Sequence, residues 1–212
     1  MFNIYTPPKE NLTIEYILDR QYQKLDEEFY HRIPEFQING SALYVPLGEK
    51  KHFCNSENDT RSKDYFENFL HLCSTENGFN TNIVCRNTLP YNIEQPNTAS
   101  SEYLDCINSS YSFVTHDKIR HLCLYRACRV HWIPKIINGV NNNEEHIYSY
   151  EDPLTGDLYY IYYYEKTAKY SRPTLYKIIF SKDRQRYIFK TAYPVTEQSE
   201  VYKIIRQIKK IC

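Results

Sequence analysis

The side chains that could do chemistry lie mainly in the second half of the chain, where basic residues outnumber acidic ones. His131 is a candidate general acid or base, because an imidazole titrates near neutral pH. Arg126 and Arg129 precede it and could hold a phosphate through the planar guanidinium fork. The alternatives are that His131 caps a helix or packs beside Trp132, and that the arginines lie on a solvated helix face.

Three further candidates lie on strands predicted near the end of the chain. Lys177 interrupts the apolar run 175–180, where an ammonium group could stabilise a developing negative charge. Thr191 and Tyr193 are two residues apart and therefore share a face of their strand. A threonine hydroxyl can bind phosphate, and a tyrosine can stack on a base or relay a proton. The alternatives are an edge-strand lysine that discourages aggregation and ordinary filling of a sheet by Thr and Tyr.

Charges are unevenly distributed along the chain, although its net charge is zero. Residues 1–115 contain 9 Lys and Arg against 16 Asp and Glu, a net charge of −7. Residues 116–212 contain 17 Lys and Arg against 10 Asp and Glu, a net charge of +7. The basic part indicates a nucleic-acid partner and the acidic part a masking or partner surface, the alternative being a chance imbalance of two solvated surfaces.

The elements that must position these groups centre on the run 158–164, which reads Leu-Tyr-Tyr-Ile-Tyr-Tyr-Tyr. Aromatic and β-branched residues favour a strand, and the Pro- and Gly-containing segment 152–157 predicts a turn before it. Further strands are expected at 146–150, 175–180 and 187–193. Together they predict a four-stranded antiparallel meander, on which some tyrosines could stack RNA bases while most pack in the core.

Apolar spacing predicts helices before and after this meander, at 14–29, 63–73, 116–128, 134–138 and 196–210. Short strands are expected at 41–45 and 80–86. The fold class is therefore α+β, with helices packed on a four-stranded antiparallel sheet in the C-terminal half and a mixed helix and short-strand N-terminal region. Residues 90–101 lack apolar periodicity and predict a linker, so that 1–105 forms an acidic accessory or regulatory region and 106–212 a basic domain.

The composition argues against several classes of function. Glycine is scarce, at 5 residues, and no glycine-rich phosphate loop is present. The seven cysteines are scattered, and Cys123 and Cys128 are wrongly spaced for a zinc knuckle. No apolar run approaches 18 residues, and the first residues lack the pattern of a signal peptide. We therefore expect a cytoplasmic protein with no membrane span, no cofactor and no metal.

Two segments and the strands between them resemble a known family. The segment 126–135, Arg-Ala-Cys-Arg-Val-His-Trp-Ile-Pro-Lys, and the run 187–194, Tyr-Ile-Phe-Lys-Thr-Ala-Tyr-Pro, flank the tyrosine-rich strands. This arrangement resembles the phage-associated branch of the barnase–EndoU–colicin–RelE-like (BECR) nucleases, whose last strand reads Thr-Ala-Tyr. The resemblance covers residues 116–196, and the loop 141–145 departs from it by lacking the family's proline-containing turn.

The resemblance implies a metal-independent endoribonuclease of the toxin or effector type. Such enzymes use the ribose 2′-hydroxyl as nucleophile, so the protein supplies a base, an acid and cations for the phosphorane. The catalytic candidates are then His131, Lys177, Thr191 and Tyr193, and the substrate-binding candidates are Arg126, Arg129, Lys135 and Tyr162. The expected partners are tRNA or mRNA and an antitoxin or immunity protein.

The second hypothesis is a non-catalytic phage or host-interaction protein that uses the same sheet to bind RNA or a protein partner. A degenerate nuclease fold keeps its sheet and loses its acid and base residues. The two hypotheses differ in whether His131, Lys177 and Thr191 are expected to meet on one concave, positively charged face.

Overall fold

A computed structural model describes residues 2, 5, 14–53, 63–75, 112–115, 118–164, 174–195 and 198–209. The chain divides into two compact units. The sheet unit takes its described residues from 1–2, 26–46 and 131–212, and the second unit from 3–25 and 47–130. The domain boundary predicted at residue 105 lies outside the described residues, as do the strand predicted at 80–86 and the linker predicted at 90–101.

The described chain contains five α-helices, two 3-10 helices and eleven strands. The helices are α1 (Ile14–Glu28), α2 (Glu67–Leu72), α3 (Leu124–Ala127), α4 (Ile133–Asn141) and α5 (Gln198–Ile208), with 3-10 helices at Tyr30–Glu35 and Val130–Trp132. The strands are β1 (Gln37–Ile38), β2 (Ser41–Tyr44), β3 (Lys50–Phe53), β4 (Lys63–Phe66), β5 (Ser74–Thr75), β6 (Ser112–Thr115), β7 (Lys118–Leu122), β8 (Ile147–Glu151), β9 (Leu158–Tyr164), β10 (Thr174–Asp183) and β11 (Arg186–Val195). The predicted α+β class is confirmed. None of the described helices is long and apolar enough to cross a membrane.

The sheet unit is built on a six-stranded sheet with the order β1-β2-β11-β10-β9-β8. Strands β8 to β11 form the predicted antiparallel meander. The predicted number of four strands is wrong, because β2 pairs in parallel with β11 and brings β1 with it. Arg186 lies opposite Ala42 in that pairing. The two residues are far apart along the chain, so the local periodicity of either segment does not predict that they pair.

Alternation gives this sheet two faces, which pack against different elements. On the tryptophan face, the ring centroid of Trp132 lies 5.7 Å from that of Tyr162 and 5.5 Å from that of Tyr176. The helix face carries the residues that alternate with these and is packed by α5. Its apolar cluster comprises Ile161, Leu175 and Val195 from the strands and Val201, Ile204 and Ile208 from α5.

Helix α4 packs against β8 and β9. Pro134 occupies its first turn as expected, since that position needs no backbone N–H. The helix continues to Asn141, so the end predicted at residue 138 is wrong. A Cβ atom on Gly139 would overlap the side chain of Ile147. This glycine therefore allows the close approach of α4 to β8 and does not end the helix.

The second unit contains the hairpin of β3 and β4 and a three-stranded sheet in the order β5-β7-β6. The helix predicted over 116–128 is wrong at 118–122, which forms β7, and only Leu124–Ala127 is helical. The helix predicted over 63–73 likewise begins only at Glu67. In both places the segment pairs with other strands, β4 with β3 and β7 with β5 and β6. Local apolar spacing does not predict such pairing.

Candidate functional site

Lys177 lies in the middle of the helix face, on the central strand β10, and is only 7% exposed. Strand pairing places Tyr193 of β11 directly opposite it and Ile161 opposite it on β9. The Lys177 Nζ atom lies 5.2 Å from the ring centroid of Tyr159 and 5.1 Å from that of Tyr193. Two aromatic faces therefore hold the ammonium group, at distances at which cation–π attraction is effective.

A carboxylate from α5 completes the surroundings of this lysine. The Lys177 Nζ atom donates a hydrogen bond of 2.6 Å to Oε1 of Glu200, whose side chain is 38% exposed. Burial lowers the pKa of Lys177, but the hydrogen bonds with Glu200 and Tyr193 raise it, and the net pKa lies above its usual value. The lysine is therefore a buried cation at neutral pH, with its carboxylate partner at the edge of the solvent.

Two tyrosines of β8 and β9 also lie near Lys177. The rings of Tyr150 and Tyr159 are 5.0 Å apart between centroids and nearly perpendicular. Burial raises the pKa of Tyr150 to about 12 although Lys177 opposes the shift, and burial also raises the pKa of Tyr159. The Tyr159 hydroxyl donates to Oδ2 of Asp152 at 3.1 Å. Because both phenols stay protonated at neutral pH, they can donate protons or hydrogen bonds and cannot act as bases there.

We call Lys177, Glu200, Tyr150, Tyr159 and Tyr193 the Lys177 cluster. Thr191 lies on the same face as these residues, since it is opposite Ile179, two residues after Lys177 on β10. Three of the four predicted catalytic residues, Lys177, Thr191 and Tyr193, are thus on one face of adjacent strands. Glu200, Tyr150 and Tyr159 were not among the predicted site residues.

The structure places the other predicted residues of the sheet unit away from the helix face. His131 is 4% exposed and precedes Trp132, whose ring packs on the tryptophan face. Tyr162 is buried on that same face, and its hydroxyl accepts a hydrogen bond of 2.9 Å from the backbone N–H of Phe2. Lys135 is exposed on α4, with Nζ 6.0 Å from the Phe2 ring centroid. His131 and Lys177 therefore do not meet.

The two predicted phosphate-binding arginines belong to the second unit. Arg126 donates to the carbonyl oxygen of Ser74 at 2.7 Å, and the neighbouring Arg120 donates to the Ser74 hydroxyl at 2.8 Å. Arg129 is fully buried. The guanidinium groups of Arg120 and Arg126 therefore donate hydrogen bonds to Ser74 of β5. For Arg126, a contact within the protein is seen where a phosphate contact was predicted.

One signal for the missed residues was present in the sequence. Alternation along 158–164 puts Tyr159 on the same face as Ile161, opposite Lys177. Glu200 is the only acidic residue in α5, but its contact with Lys177 depends on how the helix crosses the sheet. No spacing rule connects two residues on different elements in that way.

Comparison with known proteins adds no relative. No family model, no curated protein and no solved structure matches this chain. The resemblance to the BECR nucleases therefore stays a prediction, and the geometry of the sheet unit is the basis for a functional proposal.

Proposed function

We propose that the sheet unit is a metal-independent endoribonuclease whose reactive groups are those of the Lys177 cluster. The observation that carries the proposal is the 2.6 Å pair of a buried ammonium and a half-exposed carboxylate between tyrosine rings. RNA cleavage through the 2′-hydroxyl needs a proton acceptor, a cation and a proton donor. Glu200, Lys177 and Tyr193 are groups of those three kinds on one face.

In the proposed reaction a substrate phosphate replaces Glu200 as the partner of Lys177, which frees the carboxylate. Glu200 takes the proton of the ribose 2′-hydroxyl while the 2′-oxygen forms a bond to the adjacent phosphorus. Lys177 stabilises the charge of the phosphorane, and the phenol of Tyr193 gives its proton to the leaving 5′-oxygen. The products are a 2′,3′-cyclic phosphate and a 5′-hydroxyl end, and in this proposal the Thr191 hydroxyl donates a hydrogen bond to a phosphate oxygen.

The test is incubation of the purified chain with total cellular RNA in EDTA, beside the variants Glu200→Gln, Lys177→Met and His131→Gln. Glu200→Gln removes the base but keeps a hydrogen-bonding side chain, and we expect a loss of about 10²–10⁴-fold in rate. Lys177→Met keeps the buried stem and removes the charge, for an expected loss of about 10²–10³-fold. We expect His131→Gln to cleave like the parent protein, because His131 is not in the cluster.

Two results would overturn this assignment. Intact RNA with the folded parent protein would remove the nuclease, and undiminished cleavage by both Glu200→Gln and Lys177→Met would remove the cluster. Loss of cleavage in the His131 variant alone, with the fold retained by circular dichroism, would return the catalytic role to the histidine.

A second candidate function is non-catalytic RNA binding by the same sheet. It is favoured by the placement of His131 away from Lys177, because a histidine is the group best suited to exchange protons near neutral pH. The two candidates separate in one experiment. A folded parent protein that binds an RNA oligonucleotide and leaves it intact in EDTA supports the binding module.

A further inference from the structure

Helix α5 has a second face that the proposed chemistry does not use. Its inner side packs Val201, Ile204 and Ile208 on the sheet. Its outer side lines an open depression of about 480 Å³. The residues lining this outer face are Ser199, Tyr202, Lys203, Arg206 and Gln207.

The charged side chains on this outer face are cations. Lys203 and Arg206 are exposed, and Lys209 follows them as a further exposed cation. Glu200, the only acid of α5, pairs with Lys177. Asp152 lies in the turn before β9, and its pKa is lowered first by the hydrogen bond from the Leu154 backbone N–H. The positive charge of Lys203 contributes to the same shift. The outer face therefore offers a row of positive charge to a polyanion.

An aromatic side chain stands among these cations. Tyr202 is 53% exposed, an unusual amount for a large aromatic residue in a helix that buries its apolar side. Lys203 and Arg206 are one helical turn apart, which separates their Cβ atoms by about 5–6 Å. Proteins that bind single-stranded nucleic acid combine cations along the phosphate backbone with aromatic rings on which the bases stack. Lys203, Arg206 and Tyr202 are groups of these two kinds. A duplex offers the phosphates but keeps its base faces stacked.

We propose that the outer face of α5 binds the backbone of single-stranded RNA, with Lys203 and Arg206 on neighbouring phosphates and Tyr202 stacked on a base. That the ligand is RNA rests on the proposed function. The outer face of α5 would then hold the RNA strand next to the Lys177 cluster. Glu200 lies one turn before Lys203 on the same helix, so a strand held there passes beside the Lys177 cluster.

The experiment measures binding without cleavage, so that its failure and that of the nuclease remain distinguishable. A fluorescent 2′-O-methyl oligonucleotide of mixed sequence has no free 2′-hydroxyl and cannot be cut by the proposed route. Its affinity is measured by fluorescence anisotropy over a range of salt concentrations. The variants are Lys203→Gln with Arg206→Gln, and Tyr202→Ala. The matched control is Lys182→Gln with Arg184→Gln, an exposed pair at the turn between β10 and β11 that changes the net charge equally.

Each phosphate contact on a single strand contributes about 0.7 to the slope of log affinity against log salt. We expect the Lys203 and Arg206 variant to lower that slope by about 1.4 and the control pair to leave it unchanged. Loss of one stacked base, about 1–3 kcal/mol, corresponds to a roughly 5- to 140-fold weaker affinity. We expect that loss for Tyr202→Ala, with the salt slope unchanged.

Several outcomes would overturn the proposal. Equal slope changes in the test and control pairs would mean that net charge alone governs binding. Equal affinity for a duplex would remove the stacked base, and a preference for anionic vesicles or an acidic peptide over the oligonucleotide would assign the face to another partner. No binding by the parent protein would reject the site, while the separate EDTA assay would still decide the nuclease.

Discussion

The two faces of the same sheet use tyrosine in opposite ways. On the tryptophan face Tyr160, Tyr162 and Tyr176 are buried, and the last two pack against Trp132. On the helix face Tyr159 and Tyr193 are half-buried and surround a lysine ammonium. One tyrosine-rich strand supplies both sets by simple alternation. The difference shows that residue type alone does not distinguish a tyrosine packed in the core from one that surrounds a buried cation. The side chains that each tyrosine contacts make that distinction.

The largest effect that we expect comes from the core of the tryptophan face. Trp132 is 1% exposed and contacts Tyr162 and Tyr176, so Trp132→Ala leaves a cavity that its neighbours cannot fill. We expect the free energy of unfolding in urea to fall by about 3–5 kcal/mol. The control is Leu154→Ala, at a residue that is 90% exposed, with an expected change within about 0.5 kcal/mol. Similar losses in the two variants would contradict a packed tryptophan face.

A smaller loss of stability is expected when the charged pair on the helix face is broken. Glu200→Gln leaves the buried ammonium of Lys177 without a charged partner. The expected cost is about 1–3 kcal/mol, less than for a fully buried pair because Glu200 is 38% exposed. A double-mutant cycle with Lys177→Met measures the coupling. Additive effects of the two substitutions would mean that the pair contributes nothing to α5 docking.

The two faces also respond to pH through different tyrosines. Burial raises the pKa of Tyr150 on the helix face and of Tyr160 on the tryptophan face to about 12. Above a pH of about 10 the unfolded chain loses these protons first, so stability is lost as pH rises from about 10 to 12. Tyr150→Phe and Tyr160→Phe should each flatten this decline in urea unfolding curves. A decline unchanged in both variants would place its origin elsewhere.

The smallest effect is expected from an ion pair whose lysine side chain is exposed to solvent. Lys190 contacts Asp157 at 3.0 Å, but the lysine side chain is 48% exposed. Lys190→Ala should therefore change stability by only about 0–1 kcal/mol, and high salt should reduce even that. A cost equal to that of Glu200→Gln would mean that burial does not distinguish the two pairs.

Much of the sheet unit could be predicted from local pattern. The tyrosine-rich alternation and the turn residues located β8 to β11, and the apolar spacing of Val201, Ile204 and Ile208 predicted α5. The same alternation put Thr191 and Tyr193 on one face. These features depend on neighbours in sequence, for which periodicity is informative.

The errors arose where the deciding partner is distant or where a polar residue takes a core position. In β7 the apolar Ile119 is 65% exposed, while Arg120 is 5% exposed and points inward. The apolar residues of this segment therefore do not mark its buried face, and the sequence pattern predicted a helix where the structure has a strand. The contact of Lys177 with Glu200 and the burial of His131 both depend on how helices pack on the sheet. The spacing of residues along the sequence does not predict that packing.

The parallel pairing of β2 with β11 has a consequence for the order in which the molecule can form. Residues 42–44 leave the ribosome long before residues 186–188, their partners, have been made. At about 5–20 residues per second this interval is on the order of ten seconds. The sheet can therefore be completed only after residues 186–188 have been made, and until then β1 is the only one of the two strand neighbours of β2 that the chain has produced.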